Sequence, residues 1–201
     1  MDETELIRSA QKGELRAFNQ LIMAYQSVSF NVAYHILNES EAATDVTQEA
    51  FIKAYKSIRQ YRGGSFKAWL LRIVTNTCYD HLRARQRRPT VSLDDMLEDP
   101  ERAPQLIHDY EGPESHALRS ELGDFIQKAI AALPEDQRTV LILSDIEGFS
   151  YQEIAEVTGT ELGTVKSRLS RGRSKMRDLL RQNAELLPPQ YRLKGRTISV
   201  G

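Results

Sequence analysis

Apolar residues recur at intervals of three and four along most of the chain, which is the period of an amphipathic helix. Before Pro89 three such stripes follow one another, separated by breaks near Gly13, near residues 38–40 and at Gly63 and Gly64. Their apolar members are Leu15, Phe18, Ile22, Tyr25, Val32 and Ile36 in the first stripe, Val46, Ala50, Phe51, Ala54, Tyr55 and Ile58 in the second, and Phe66, Trp69, Leu70, Ile73, Thr77 and Leu82 in the third. No stretch alternates with the period of a β-strand, so the pattern predicts an all-α fold.

The helical pattern fails between Pro89 and about residue 115, where four prolines punctuate an acidic stretch without a sustained period. Such a composition is typical of a linker. Helical spacing resumes at Leu118, and Pro134 is expected to open a further helix because proline is favoured at the first helical position. The sequence therefore predicts two small helical domains, at residues 1–90 and 118–186. An acidic linker at residues 91–117 joins them, and a C-terminal tail follows at residues 187–201.

The formal net charge of −1 on 201 residues conceals three strongly charged segments. Residues 83–88, RARQRR, contain four arginines and no acid, and residues 162–181 contain seven bases and one acid. Between them, residues 92–124 contain ten acids and two bases. Two basic segments separated by an acidic connector are typical of a chain that contacts nucleic acid at two places. A solvated helix face would also explain either basic segment taken alone.

Several classes of function are disfavoured by the composition. No apolar run approaches the roughly 20 residues that a membrane span requires, and the acidic, polar opening MDETELIRSAQ does not fit a signal or transit peptide. The cytoplasm is therefore the expected location. The four histidines form no metal-ligand spacing with the lone Cys78, which falls in an apolar helical stripe and is expected to be buried. Since no phosphate-binding glycine loop or nucleophile elbow is present, we expect no metal, no cofactor, no catalytic residue and no enzyme activity.

The sharpest local motif is SYQEIAEVTGTELGTVKSRLSRGRSKMRDLL, which begins at Ser150. Ser150 and Glu153 have the spacing of a capping box, in which each side chain satisfies a backbone N–H at the start of a helix. Counting from the next residue, Ala155, Gly159 and Val165 occupy the fifth, ninth and fifteenth places, where a helix-turn-helix needs a small residue, a glycine and an apolar anchor. The second helix would present basic and hydroxyl side chains to the major groove. DNA binding is thus favoured over a plain helical hairpin with a charged face, although the motif alone fits several families of regulator.

Motifs in both halves together carry a more specific resemblance. DVTQEAFIKAYKSI and RQYRGGSFKAWLLRIVTNTCYDHLRARQRR precede the C-terminal LPEDQRTVLILSDIEGFSYQEIAEVTGTELGTVKSRLSRGRSKMR. In this order they resemble the sigma-70 superfamily of RNA polymerase sigma factors, and in particular the extracytoplasmic-function (ECF, group IV) class. That class keeps only the second and fourth sigma domains, which would correspond to the two predicted domains. The acidic linker would then enter the polymerase channels that hold RNA, although a merely soluble tether has the same composition.

The resemblance implies a role for three sets of residues. The set expected to dock on the clamp helices of the polymerase β′ subunit is Asp45, Gln48, Glu49 and Phe51, although the polar residues alone would favour a solvated helix face. The set expected to recognise and melt the −10 promoter element is Tyr61, Arg62, Ser65, Phe66, Lys67, Trp69, Asn76, Arg83, Arg85, Arg87 and Arg88. Phe66 and Trp69 also belong to the third apolar stripe, so a core position is the alternative for both, and for Trp69 it is the favoured one. The set expected to read the −35 element is Gly163, Thr164, Lys166, Ser167, Arg168, Ser170, Arg171 and Arg173. The implied partners are core RNA polymerase (the β′ clamp helices and the β subunit), promoter DNA and an anti-sigma factor.

Two other functions fit parts of the sequence. A stand-alone helix-turn-helix regulator would use the C-terminal motif on duplex DNA, but it would need a dimer interface, and no dimerising heptad is evident. A pure protein-interaction adaptor would not depend on the charges of Lys166 and Arg171. The sequence favours a sigma factor over both, because the resemblance extends across the two halves.

Overall fold

The computed structural model of the chain describes residues 2–87 and 113–183, with side chains described at 2–87 and 122–183. Arg88, the predicted linker as far as residue 112 and the predicted tail lie outside the described residues. Every regular element within the two described ranges is helical, and neither range contains a strand. The all-α prediction is confirmed.

The N-terminal half consists of α1 (Glu3–Gln11), α2 (Leu15–Leu37), α3 (Ser40–Ser57) and α4 (Phe66–Arg87), with a 3₁₀ turn at Ile58–Gln60. The breaks between these helices fall where the sequence predicts them. Asn38 ends α2 in the left-handed conformation, with φ at 56°, and its N–H donates to the carbonyl of Tyr34 at 2.7 Å. A residue of this conformation closes a helix because its N–H satisfies a carbonyl that has no partner in the next turn.

The loop before α4 is anchored by its own side chains. Gly63 and Gly64 have φ values of 99° and 92°, which residues with a Cβ rarely adopt. The Tyr61 hydroxyl donates to the carbonyl of Gly64 at 2.6 Å, and Ser65 Oγ accepts from the Ala68 N–H at 3.1 Å. The second bond caps the first turn of α4. The break that the sequence predicts at Gly63 and Gly64 is therefore a loop that side-chain hydrogen bonds hold at both ends.

The C-terminal half consists of α5 (Pro113–Ala131), α6 (Glu135–Leu141), one π-helical turn (Ile142–Ile146), α7 (Tyr151–Thr158) and α8 (Leu162–Gln182). Pro134 precedes α6 at its N-terminus, as the sequence predicts. Helix α5 begins at Pro113, earlier than the expected start at Leu118. The last residues of the predicted linker therefore belong to this helix. Proline opens a helix readily because its missing N–H would have no partner there.

The two halves share one hydrophobic core. The larger cluster of buried side chains combines Ile36 and Val74 from the N-terminal half with Ile130, Val140 and Val165 from the C-terminal half. A smaller cluster lies at the far end of the N-terminal half, around Phe18, Leu21, Phe66 and Leu70. Domains of this size bury little apolar surface alone, so a pooled core stabilises both.

The side chain of Arg138 links the two halves at the edge of the shared core. Arg138 on α6 donates to the carbonyl of Ile36 at 3.2 Å and to that of Leu133 at 3.0 Å. It therefore joins the end of α2 to the turn between α5 and α6. Gln127 on α5 also lies 2.7 Å from the Nδ1 atom of His35.

Candidate nucleic-acid interface

Helices α7 and α8 form the helix-turn-helix that the sequence predicts. The Ser150 hydroxyl accepts from the Glu153 N–H at 3.3 Å, and the Glu153 carboxylate accepts from the Ser150 N–H at 2.9 Å, so the predicted capping box is confirmed. Hydrogen bonds that the Ser150 N–H and hydroxyl donate to the Glu153 carboxylate lower the pKa of this carboxyl. Gly159 occupies the turn in the left-handed conformation, with φ at 64°. Ile154 and Val165 are fully buried between the two helices and the rest of the core.

The outer face of α8 carries the residues expected to read the −35 element. Of the eight residues in that set, the exposed ones are Gly163, Lys166, Ser170, Arg171 and Arg173, and the half-buried ones are Thr164, Ser167 and Arg168. Lysine and arginine on such a face can donate to guanine or clamp phosphates, and serine can bond to any base. The first turns of α8 therefore leave most of the predicted set accessible, whereas Arg168 lines the cleft between α4 and the C-terminal half.

Two of the arginines in this set are held by carboxylates of the same half. Arg168 lies 3.0 Å from Asp136 on α6, and Arg173 grips both oxygens of Asp145 at 2.9 and 2.6 Å. Hydrogen bonds from Arg173 lower the pKa of Asp145, and the same bonds raise the pKa of the guanidinium. Both pairs fix α8 against the elements before it. These guanidiniums thus have a structural role in addition to any contact with DNA.

A concave site on the same face adds residues that the sequence analysis missed. A notch of about 360 Å³ lies between α7 and α8 and includes Tyr151 and Arg177 beside Lys166, Ser170 and Arg173 in its lining. The spacing of 166, 170, 173 and 177 follows one helix face, so extending the basic stripe by one turn would have found Arg177. Cationic side chains around a concave site are suited to a phosphate group.

The predicted polymerase-docking residues form one exposed edge of α3. Asp45, Gln48 and Glu49 are all exposed, and Lys53 contacts Glu49 at 2.8 Å. Phe51 is instead half-buried against the smaller core cluster, so it supports the helix rather than extending the polar edge.

Two apolar side chains continue that edge and were not identified as site residues from the sequence. Ile52 is 55% exposed and Tyr55 is 37% exposed, which is unusual for large side chains on a helix packed against a core. Helical spacing from Gln48 and Glu49 places them on the same side of α3. The Tyr55 ring packs edge-on against Phe18 with centroids 5.0 Å apart, which orients it. An acidic edge with an apolar centre is typical of a protein interface.

The aromatic residues expected at the −10 element belong to the smaller core cluster. Phe66 is 0% exposed and Tyr61 is 8% exposed. Their ring centroids lie 5.8 Å apart, and each lies 5.4 Å from that of Trp69, which is half-buried. The Phe66 ring therefore has no accessible face for an unpaired base, and it packs as its place in the third apolar stripe predicts. Of the loop residues in the set, Arg62 is exposed, whereas Ser65 caps α4.

The remaining −10 residues lie along α4, and several of them contact other parts of the chain. Asn76 is exposed and lines a cleft of about 450 Å³ between α4 and the C-terminal half. Arg83 bonds to Glu135 at 2.7 Å, Arg85 bonds to Glu39 at 3.0 Å, and Arg87 donates to the carbonyl of Arg83 at 3.1 Å. The ammonium of Lys67 lies 3.8 Å from the ring centroid of Phe149.

Other kinds of site are not evident in the described parts of the chain. Among residues 2–87 and 113–183 no group of three His, Cys, Asp or Glu side chains could hold a metal ion. No helix in those ranges is long and apolar enough to cross a membrane. Cys78 is fully buried, as the sequence predicts, and burial raises the pKa of its thiol to about 12.

Comparison with known proteins assigns both halves of the chain to family models. Residues 21–88 match the model of Sigma-70 region 2, and residues 126–176 match that of Sigma-70, region 4. The RNA polymerase sigma-H factor of Pseudomonas aeruginosa is 41% identical over 174 residues, covering 85% of this chain and 90% of that protein. The ECF RNA polymerase sigma-E factor of Escherichia coli is 38% identical over 184 residues, covering 88% and 95%.

Two solved structures are similar along most of the chain. CnrH, in complex with the cytosolic domain of CnrY, superposes with a TM-score of 0.63 at 27% identity, covering 87% of this chain and 94% of that one. The sigma factor RpoE of Bartonella quintana, in complex with the anti-sigma factor NepR, superposes with a TM-score of 0.61 at 30% identity, covering 83% and 98%.

Proposed function

The chain belongs to the sigma-70 superfamily of RNA polymerase sigma factors, in the ECF class, and we propose how its surfaces divide the work of transcription initiation. As a sigma factor it binds core polymerase, recognises the −35 and −10 promoter elements and promotes melting of the DNA. The observation that carries this function is the pair of family matches, one on each half. A stand-alone helix-turn-helix regulator is not supported, because it would not explain why residues 21–88 match Sigma-70 region 2.

The exposed edge of α3 is the proposed docking surface for the β′ clamp helices. Asp45, Gln48 and Glu49 supply charged and amide groups. Ile52 supplies an apolar centre, which would lose its contact with water on binding. A fully buried isoleucine contributes about 1.5–3 kcal/mol relative to an exposed one. Since Ile52 is 55% exposed in the free chain, covering it would contribute roughly half of that, which is about four- to twelvefold in the dissociation constant.

Binding of core polymerase to single-residue variants tests this docking surface. We expect Ile52→Ser to weaken the affinity about four- to twelvefold, and Glu49→Lys to weaken it further because the reversed charge opposes a basic partner helix. Met23→Ser is the matched control, because Met23 is another exposed apolar residue, 74% exposed, on α2. Equal losses for Ile52→Ser and Met23→Ser would contradict the assignment of the surface to α3.

The accessible face of α8 is the proposed −35 reader. Lys166, Ser170 and Arg171 are exposed near its N-terminal turns, where a recognition helix meets base edges. The notch that includes Tyr151 and Arg177 is the proposed seat of a backbone phosphate. Lys166→Ala should therefore lower promoter affinity with altered sequence preference, whereas Arg177→Ala should lower it uniformly and flatten the salt dependence.

The −10 element is assigned to the loop before α4 and to the accessible side chains of α4. Arg62 and Asn76 are the exposed members best placed to contact unpaired bases, with Arg83, Arg85 and Arg87 along the adjoining backbone. Tyr61, Phe66 and Trp69 hold the loop and the start of α4 in position. The phosphodiester chemistry is left to the polymerase, so the chain itself is not an enzyme.

Regulation by an anti-sigma factor and a cytoplasmic location complete the proposal. CnrH and RpoE were each solved with a protein partner, in the second case an anti-sigma factor. Similar length and fold support a partner of the same kind for this chain. Co-purification from a lysate, followed by inhibition of transcription with the isolated partner, tests that part.

A further inference from the structure

Helix α1 contacts the start of the loop before α4, which spans residues 61–65. It precedes residue 21, where the match to Sigma-70 region 2 begins, so that match assigns it no function. Its buried Ala10 belongs to the smaller core cluster, and its half-buried Leu6 and Ile7 pack against that cluster. Because the same cluster contains Tyr61, α1 is packed on the residue at which the loop begins.

The side-chain amide of Gln11, the last residue of α1, bridges two carbonyls at the start of the loop. Gln11 Nε2 donates to the carbonyl of Tyr61 at 2.9 Å and to that of Ile58 at 3.2 Å. A primary amide has two N–H groups, so each carbonyl can accept its own hydrogen bond. The two acceptors are 50 and 47 residues from Gln11 in the sequence, so this contact is tertiary and is not a helix cap.

The bond to Tyr61 orients the peptide group from which Arg62 extends. The carbonyl of Tyr61 and the N–H of Arg62 belong to one planar peptide group, so fixing the first also fixes the second. The Tyr61 hydroxyl donates to the carbonyl of Gly64 at 2.6 Å, on the other side of the loop. Tyr61 is therefore held through its backbone by α1, and its side chain in turn holds the far side of the loop.

The crest of the loop remains open. Arg62, Gly63 and Gly64 are exposed, and a Cβ placed on either glycine would meet no atom within 4 Å. An unpaired base can thus approach the crest, while the residues at the start of the loop are fixed. Fixing a loop in its binding conformation before the ligand arrives lowers the entropic cost of binding.

We propose that Gln11 is a positioning residue for −10 recognition, which sets the conformation of the loop so that Arg62 can contact the unpaired base. The inference rests on the proposed function of Arg62. Gln11 is half-buried and its amide is directed at the two carbonyls, so it acts through the loop and not on the DNA. Without this amide the loop samples further conformations, which slows promoter opening and weakens discrimination at the base that Arg62 reads.

Removal of the amide tests this role in the complete chain with saturating core polymerase. Gln11→Met keeps the length of the side chain and removes both hydrogen bonds. Opening of a promoter mapped with this chain is followed by the fluorescence of 2-aminopurine placed in the −10 element. We expect opening to slow about fivefold, which is the effect of about one hydrogen bond. Gln20→Met is the matched control, because Gln20 is an exposed glutamine on α2, and it should open the promoter at the wild-type rate.

A double-mutant cycle shows whether Gln11 acts through Arg62. If the amide positions the loop, Gln11→Met should slow opening less than about twofold in a chain that already carries Arg62→Ala. The same variants are assayed on promoters that carry each base in turn at every position of the −10 element. Gln11→Met should weaken discrimination at the position where Arg62→Ala weakens it, and should leave the other positions unchanged.

A loss of stability alone gives a different result. Leu6→Ala truncates a half-buried side chain of α1 but keeps the amide of Gln11. Thermal unfolding followed by circular dichroism compares the stability of the two variants. Leu6→Ala should lower the melting temperature at least as much as Gln11→Met, yet keep the wild-type base preference, and its effect on opening should add to that of Arg62→Ala.

The outcomes distinguish the positioning role from the proposed function of Arg62. Additive effects of Gln11→Met and Arg62→Ala, an unchanged base preference in Gln11→Met, or an equal loss of preference in Leu6→Ala would overturn the positioning role alone. If Arg62→Ala opened every promoter at the wild-type rate, the proposed function of Arg62 would be overturned, and the positioning role with it.

Discussion

Replacing Phe66 by alanine separates a structural role of this ring from stacking on DNA. The Phe66 side chain is 0% exposed, and its ring lies 5.4 Å from that of Trp69 and 5.8 Å from those of Tyr25 and Tyr61. Truncating a buried phenylalanine costs about 3–5 kcal/mol, because apolar contacts are lost and a cavity remains. The free energy of unfolding of a typical domain is about 5–15 kcal/mol, so the loss removes a large share of it.

Urea unfolding of the full chain followed by circular dichroism measures this loss. A destabilisation of about 3–5 kcal/mol should lower the melting temperature by roughly 6–20 °C for a chain of this size. Phe66→Leu is the control variant, and it should cost less than about 1.5 kcal/mol because it keeps most of the volume. Circular dichroism is preferred to fluorescence because Trp69, the only tryptophan, touches the altered site.

A small effect on stability would refute the structural role. Suppose that the free energy of unfolding of the Phe66→Ala variant fell by less than about 1 kcal/mol and the variant still failed to melt promoter DNA. The ring would then have to act on a base, as the resemblance alone implies.

Three further predictions concern the C-terminal half and the buried thiol. Ser150→Ala should lower the free energy of unfolding by about 1 kcal/mol through loss of the capping box, measured by urea titration, and an unchanged midpoint would contradict the cap. Arg173 holds the pKa of Asp145 below its ordinary value, so the stabilisation from this pair is present above about pH 4 and is lost as the pH falls through the lowered pKa. The stability difference between the wild type and Asp145→Asn should accordingly shrink below about pH 4, and a constant difference from pH 7 to pH 3 would exclude this linkage. Cys78, whose pKa burial raises to about 12, should react with a thiol reagent only as the chain unfolds, and fast labelling under native conditions would show that it is accessible.

The helices were predictable because their signals are local. The apolar stripe through Val32 and Ile36, the left-handed turn at Gly159 and the capping box at Ser150 each depend on residues within a few positions of one another. The exposed α8 face was predictable for the same reason, since it needs only helical spacing and charge.

The features that escaped prediction depend on partners distant in the sequence. An apolar stripe does not state what covers it, so the packing of Val74 against the C-terminal half could not be read from the pattern. The carboxylate that holds Arg173 lies 28 residues away in the sequence. Gly172 is buried, and a Cβ at this position would lie 3.4 Å from the carbonyl oxygen of Gln137. Helices α6 and α8 therefore cross closely here, and no local motif in the sequence predicts this contact.

Phe66 of the predicted −10 set belongs both to a motif and to the third apolar stripe, and only its burial distinguishes the two roles. For Ile52 the opposite holds. This apolar residue lies beside the core stripe of α3 and looks like a core residue in the sequence, yet it is exposed in the structure.

Transcription from genomic fragments with purified core polymerase shows whether this chain directs initiation as a sigma factor. We expect discrete start sites that appear only when this chain is added, preceded by two shared sequence elements at a constant spacing. Transcripts that are identical with and without the chain, together with tight binding of the chain alone to a palindromic duplex, would contradict it.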